Sequence, residues 1–304
     1  CVICVICVPL FSSNFCLLTS NFFLLYTLVM PRRHHDDSRS NASRKYHNRV
    51  ARQYDQIYDD RYWEFHDELT WRSIKPHLPK STTSPALDLG CGTGKWGLKI
   101  LKSGFPTTFV DNSPNMIDQT RAKLESLGPH AKHATLLVAD IVNLSQLPSN
   151  HFSLTLAMGD PLSICSDPPA AISEIFRTTQ PNGIVIATAD NKLAALDHFL
   201  ERGDLDALEA FLRTGRTNWL TDDAREQFEL TMFTPHTLRR LFEKSGFQVL
   251  DLTGKTILPL RKHKHLLETP DSFERLLRLE HDLSKDPSSP SRASHLQITA
   301  QKPN

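Results

Sequence analysis

From residue 86 onward, short apolar runs alternate with polar turns and with segments whose apolar residues recur every three or four positions. Residues 86–89, 107–110, 134–138, 152–158 and 184–188 are too short for helices and end in turn residues, so they predict strands. Ser113-Pro114, Asp167-Pro168 and Thr234-Pro235 each set a capping side chain before a proline at the first helical position. Behind the last of these, Leu238, Leu241 and Phe242 form one helical face, and Gly246 supplies the stop. Residues 247–252 and 295–300 predict two further strands. Strands alternating with helices give an α/β fold with a doubly wound, mostly parallel sheet covered on both faces.

The segment before the sheet divides in three. Residues 1–29 are uncharged and apolar and hold Cys1, Cys4, Cys7 and Cys16. With no charged residue ahead of them, they do not match a secretory signal. A membrane anchor followed by Arg32 and Arg33 would leave the rest of the chain on the cytoplasmic side. The favoured expectation is that the protein proper starts at Met30, with the leader outside it and the protein cytoplasmic. Residues 30–42 are polar and predict a disordered tail. The domain is then 43–304, opening on a helical pattern at Tyr46, Val50, Tyr54 and Ile57 and an aromatic cluster of Tyr58, Tyr62 and Trp63. Composition excludes some classes. With 304 residues, 39% hydrophobic, 23% charged and a net charge of +1, the chain is neither disordered nor a strongly basic nucleic-acid binder. Past the leader only Cys91 and Cys165 remain, which fits a reducing compartment and no cysteine-rich metal site; no metal is expected.

The chemistry begins where the first predicted strand ends, at Asp88-Leu89-Gly90-Cys91-Gly92-Thr93-Gly94-Lys95-Trp96-Gly97. Alternate glycines between a strand and a helix allow a sharp turn and the close approach of a ligand. A phosphate-binding loop is excluded, because Leu89 stands where its first glycine belongs and Trp96 where Ser or Thr belongs. A dinucleotide fingerprint through Gly92, Gly94 and Gly97 with Asp111 leaves Asp88 and Gly90 unexplained. Asp88-x-Gly90-x-Gly92-x-Gly94 resembles the first motif of class I S-adenosylmethionine-dependent methyltransferases, and the chain resembles their quinone-biosynthesis-like branch. The resemblance implies a Rossmann-like seven-stranded sheet ending in an antiparallel pair, with S-adenosylmethionine as cofactor. It puts Asp88 near the cofactor ammonium, with Gly90, Cys91, Gly92 and Gly94 beneath its amino-acid part. Asp111 would accept from both ribose hydroxyls, beside Asn112 and with Met116 at the adenine. Asp140 would accept from the adenine amino group, beside Ile141 and near Met158.

The acceptor half is less marked. Asp160 follows the fourth predicted strand, where loops face the ligand crevice, and is the candidate acid/base or acceptor-orienting residue. Tyr54, Tyr58, Trp63 and Trp219 are the candidate acceptor contacts. No Asn/Asp-Pro-Pro-Tyr run follows that strand, which disfavours amino-methylation of DNA. Residues 191–233 read as a helical cap insertion and 259–292 as a second insertion, the latter with the basic run Arg261 to His265. The expected activity is methyl transfer to a small-molecule acceptor, with nucleic acid disfavoured and a membrane involved only if 1–29 anchors the chain. The alternatives are a non-catalytic cofactor- or partner-binding protein on the same fold and, further off, a nicotinamide-dependent dehydrogenase. Oligomeric state is not legible.

Overall fold

The computed structural model describes residues 37–218 and 227–304. The leader 1–29 and Trp219 therefore lie outside the described residues. Three helices lead in: α1 (Asp37–Val50), α2 (Tyr54–Ile57) and α3 (Arg61–Ile74). Then come β1 (Ala86–Leu89), α4 (Lys95–Lys102), β2 (Thr107–Asp111), α5 (Pro114–Glu125), β3 (Ala134–Val138) and β4 (Phe152–Ala157). Next are α6 (Pro161–Ile164), α7 (Pro168–Thr178) and β5 (Thr179–Asp190). The cap insertion carries α8 (Leu196–Arg202), α9 (Leu205–Thr214), β6 (Arg216–Asn218) and β7 (Glu229–Thr231). The chain finishes with α10 (Pro235–Lys244), β8 (Gln248–Lys255), α11 (Pro270–Ser284) and β9 (His295–Gln301).

Seven strands form one sheet in the order β3-β2-β1-β4-β5-β9-β8, and β9 runs antiparallel to both neighbours. The predicted caps form: Ser113, Asp167 and Thr234 side chains accept from the backbone N–H of Met116, Ala170 and Thr237. Strand alternation divides the core. Leu87, Leu89 and Val185 pack against Ile172 and Ile175 of α7 and Leu238 and Phe242 of α10. Ala86, Leu154, Leu156 and Ile186 face Ile74, Trp96 and Ile100 on the other side. Two topological facts position the site. Reversal of the chain at β4, next to β1, opens a crevice at the carboxyl ends of the strands. Because β9 is antiparallel, its first residue, His295, lies at that same edge, level with Asp190 and Lys255.

Two expectations change. The polar tail drawn to residue 42 is helical from Asp37, because polar tertiary contacts hold it. Arg39 is buried, donating to Ser163 O at 3.2 Å and Thr231 Oγ1 at 2.9 Å and pairing with Glu229 at 3.0 Å. The helical face through Ile57 also fails: a 3-10 turn at Ala51–Gln53 breaks the phase, and Ile57 is exposed.

Candidate functional site

Beyond β1 the chain turns through Gly90, Gly92 and Gly94 at φ of +62°, +54° and +84°, where only glycine is unstrained. A Cβ on Gly90 would lie 2.8 Å from Pro161 Cβ, so this turn packs directly on α6. A Cβ on Gly92 would meet only Tyr54 Cε1, at 3.9 Å, and the space over the turn is open. Asp88 is buried; its Oδ2 accepts from Gly97 N at 2.8 Å, and burial pushes the carboxyl up to about 7. Asp111, at the end of β2, accepts from Gly92 N at 2.8 Å and Ser113 N at 2.9 Å. Burial raises its pKa, while the charge of His47 on α1 opposes that shift. Asp140 accepts from Val142 N at 3.1 Å and from the Ser40 hydroxyl of α1. Asn48 of α1 accepts from Ser113 Oγ at 2.7 Å, so α1 roofs the second and third strand ends.

The other half of the crevice edge carries a row of charged groups: Asp160 after β4, Asp190 ending β5, His295 starting β9 and Lys255 ending β8. Asp160 sits at φ +63°, pinned because its N–H and that of Gly159 both donate to Thr188 Oγ1 at 3.0 Å. His295 Nδ1 lies 3.0 Å from Asp160 Oδ2 and 3.8 Å from Asp190 Oδ1. Burial opposes ionisation of Asp160, but the His295 charge and hydrogen bond, with Lys255, hold it at about 2. Burial and the Asp160 charge instead push Asp190 up to about 7. Burial works against the His295 cation, yet Asp160 and Asp190 raise its pKa overall. Desolvation lowers Lys255 to about 8 and, with the Lys255 charge, His66 to about 3. A run of rings walls this edge. Centroid separations are 4.9 Å for Tyr54–Tyr58, 4.9 Å for Tyr58–Trp63, 5.4 Å for Trp63–His66 and 5.4 Å for His66–His295.

A family profile described as "Methyltransferase domain" matches residues 86–183. A malonyl-[acyl-carrier protein] O-methyltransferase of Serratia marcescens is 31% identical over 33% of this chain, which spans 36% of that relative. A tRNA 5-carboxymethoxyuridine methyltransferase of Escherichia coli is 21% identical over 71% of the chain and 79% of its own length. A demethylmenaquinone methyltransferase of Staphylococcus aureus is 24% identical over 67% and 86%. Among solved structures, an S-adenosylmethionine-dependent methyltransferase of Methanosarcina mazei superposes with a TM-score of 0.55 at 20% identity, covering 76% of this chain and 96% of the other. The chain carries a class I S-adenosylmethionine-dependent methyltransferase domain.

The methyltransferase cofactor fits the residues present. Asp111 spends one lone pair of each oxygen on a backbone N–H, leaving one on each for a ribose diol. Asp88 is a sealed carboxyl that an ammonium would ionise, and the turn at Gly92 has room above it. Cys91 and Asn112 stand in the two loops, the first buried. Met116, Ile141 and Met158 are placed in packed clusters, Met116 against Val50 and Ala51 beneath α1. Of the acceptor candidates, the structure unites Tyr54, Tyr58, Trp63 and Asp160. Asp190, His295, Lys255 and His66 were missed; the signal available was that the last predicted strand begins on His295. Among the described residues, Asp160, Asp190 and His295 offer ligand atoms within 4.8 Å of one another, although His295 and Asp160 already satisfy each other.

Proposed function

We propose that this methyltransferase domain alkylates an oxygen of a small-molecule acceptor held over the ends of β4, β5, β9 and β8. The observation that carries this reading is Asp160 Oδ1, a buried carboxylate oxygen without a hydrogen-bond partner, on the loop that adjoins the cofactor turn. Buried polar atoms are nearly always paired, and a hydroxyl supplies the donor this oxygen lacks. The bound cofactor supplies a sulfonium methyl, which the acceptor oxygen attacks while the C–S electron pair stays on sulfur. Asp160, fixed by His295 and Thr188, orients the hydroxyl. Asp160 Oδ1 takes the hydroxyl proton as the new C–O bond forms, and Asp190, which shares the His295 Nδ1 contact with Asp160 and is nearer neutrality, is where that proton comes to rest. The rings of Tyr54, Tyr58 and Trp63 exclude water from the reacting atoms.

A compact acceptor suits this edge better than a nucleic-acid strand, whose phosphates would meet Asp160 and Asp190. Two buried unpaired thiols, Cys91 and Cys165, favour a reducing compartment such as the cytoplasm. Among the described residues no helix is long and apolar enough to cross a membrane. The test is incubation with methyl-labelled cofactor and a metabolite extract, scoring products that gain one methyl on oxygen. With an acceptor in hand, Asp160→Asn should lower kcat more than cofactor affinity, and Asp190→Asn should remove the limb of the pH–rate profile near 7. Absence of turnover with intact cofactor binding would instead support a binding protein on this fold.

A further inference from the structure

Resting on that reading, a second set of unpaired groups narrows the acceptor's chemistry. Lys255 is 4% exposed, yet its ammonium makes one hydrogen bond, to Thr70 Oγ1 at 2.9 Å, and no carboxylate among the described residues pairs with it directly. The Asp160 and Asp67 charges act on it from beyond direct contact, and its two spare N–H groups are left to meet an anionic ligand. Beside it, His66 has both ring nitrogens buried without a hydrogen bond, Nδ1 lying 3.9 Å from Asp67 Oδ1. Its ring touches those of Trp63 and His295, which places it on the acceptor wall. In the neutral imidazole one of those nitrogens is a donor.

We propose that Lys255 and His66 form an anion subsite within the acceptor site, and that the acceptor is a hydroxy-carboxylate. Its hydroxyl bonds to Asp160 Oδ1, and its carboxylate lies between the Lys255 ammonium and the His66 N–H. Two donors match the two oxygens of a carboxylate. A phosphate dianion would bring a second charge toward Asp160 and Asp190, and the His295 cation beside them is already engaged by those two carboxylates. The rings from Tyr54 to Trp63 cover a planar body between the two polar ends. Lys255 and His66 are positioning residues, acting on where the acceptor sits rather than on the methyl.

Calorimetry on the full chain saturated with S-adenosylhomocysteine tests this without requiring turnover. The probes are 3- and 4-hydroxybenzoate, glycolate, their methyl esters, benzoate and 4-hydroxyphenyl phosphate. At least one hydroxy acid should bind tenfold or more tighter than its ester, than the acid lacking the hydroxyl and than the phosphate. Lys255→Met, a substitution apolar enough to keep the core filled, should bring the acid-to-ester ratio close to one with S-adenosylhomocysteine affinity unchanged. Lys255→Arg should restore part of the ratio, and His66→Ala should reduce it. Equal binding of acids and esters, no binding by any acid, preference for the phosphate, or an unchanged ratio in Lys255→Met overturns the subsite. A Lys255-dependent preference without methyl transfer would sink the transfer reading alone. Methyl transfer to neutral acceptors unaffected by Lys255→Met would sink the subsite alone.

Discussion

A carboxyl sealed inside the protein, as Asp88 is, has little reason to ionise until a cation arrives. Burial sets its value at about 7, so a cofactor ammonium bound beside it near neutrality would remove a proton from part of the population. Affinity for S-adenosylhomocysteine should therefore weaken as pH falls below 7, approaching about tenfold per unit, and Asp88→Asn should flatten that slope. Titration calorimetry across pH 5.5 to 8 reads it; a parallel slope in the variant removes Asp88 from the ammonium. In the ligand-free protein the sign is opposite. A raised carboxyl contributes stability fully below its ordinary 3.8 and loses it as pH rises through about 7. Asp111 acts differently, since its oxygens already hold two backbone N–H groups and retain lone pairs for a diol. Asp111→Ala should cost about 1.5–3 kcal/mol of cofactor binding, and unchanged calorimetric affinity in a folded variant would release the residue from the site. Both carboxylates were legible because a glycine turn and a strand end announce them locally.

Elements with a local start signal were legible too, and those held by distant contacts were not. Helix α10 has Thr234 as cap, Pro235 behind it and a reciprocal bond from Thr234 N to Thr237 Oγ1 at 2.9 Å. Thr234→Ala should cost about 1 kcal/mol in urea unfolding without altering cofactor affinity, because the Thr234 side chain bonds within its own helix, to Thr237. A loss under a few tenths would mean that packing of Leu238 and Phe242 alone decides the helix. Helix α1 is the opposite case. Its first residues, to 42, are polar and lack an apolar stripe, so periodicity predicts a tail there, while Tyr46 and Val50 mark its second half as helical. What forms it is tertiary: Arg39 bonded into the cap, Ser40 on Asp140, and Asn48 on the cap of α5. In the cap insertion, Phe199 of α8 and Phe211 of α9 are buried, while Leu200, Leu205 and Leu212 are exposed.

At the scale of the whole molecule the acceptor edge exists only once the last strand docks. Asp190 and His295 face each other in the β5–β9 register, and Lys255 faces His295 across β8–β9. Strand ends so far apart in the chain carry no local sign of adjacency, which is why Asp160 was foreseen and its partner was not. Docking β9 brings a cation to two carboxylates that would otherwise be buried together. His295→Gln leaves Asp160 and Asp190 without it, and breaking such a buried pair costs about 3–5 kcal/mol. The pH dependence has a definite sign. Asp160, depressed to about 2, stabilises above its ordinary 3.8 and loses this as pH falls toward 2. His295, raised, stabilises fully below 6.5 and loses this as pH rises through its folded value. The pair is thus worth most between those limits, and His295→Gln should destabilise more at pH 5 than at pH 9. Urea unfolding of Asp160→Asn, His295→Gln and the double variant closes the cycle. The double variant should be less destabilised at pH 5 than the two singles added together. Additivity within about 0.5 kcal/mol would show that the two side chains are neighbours without being partners.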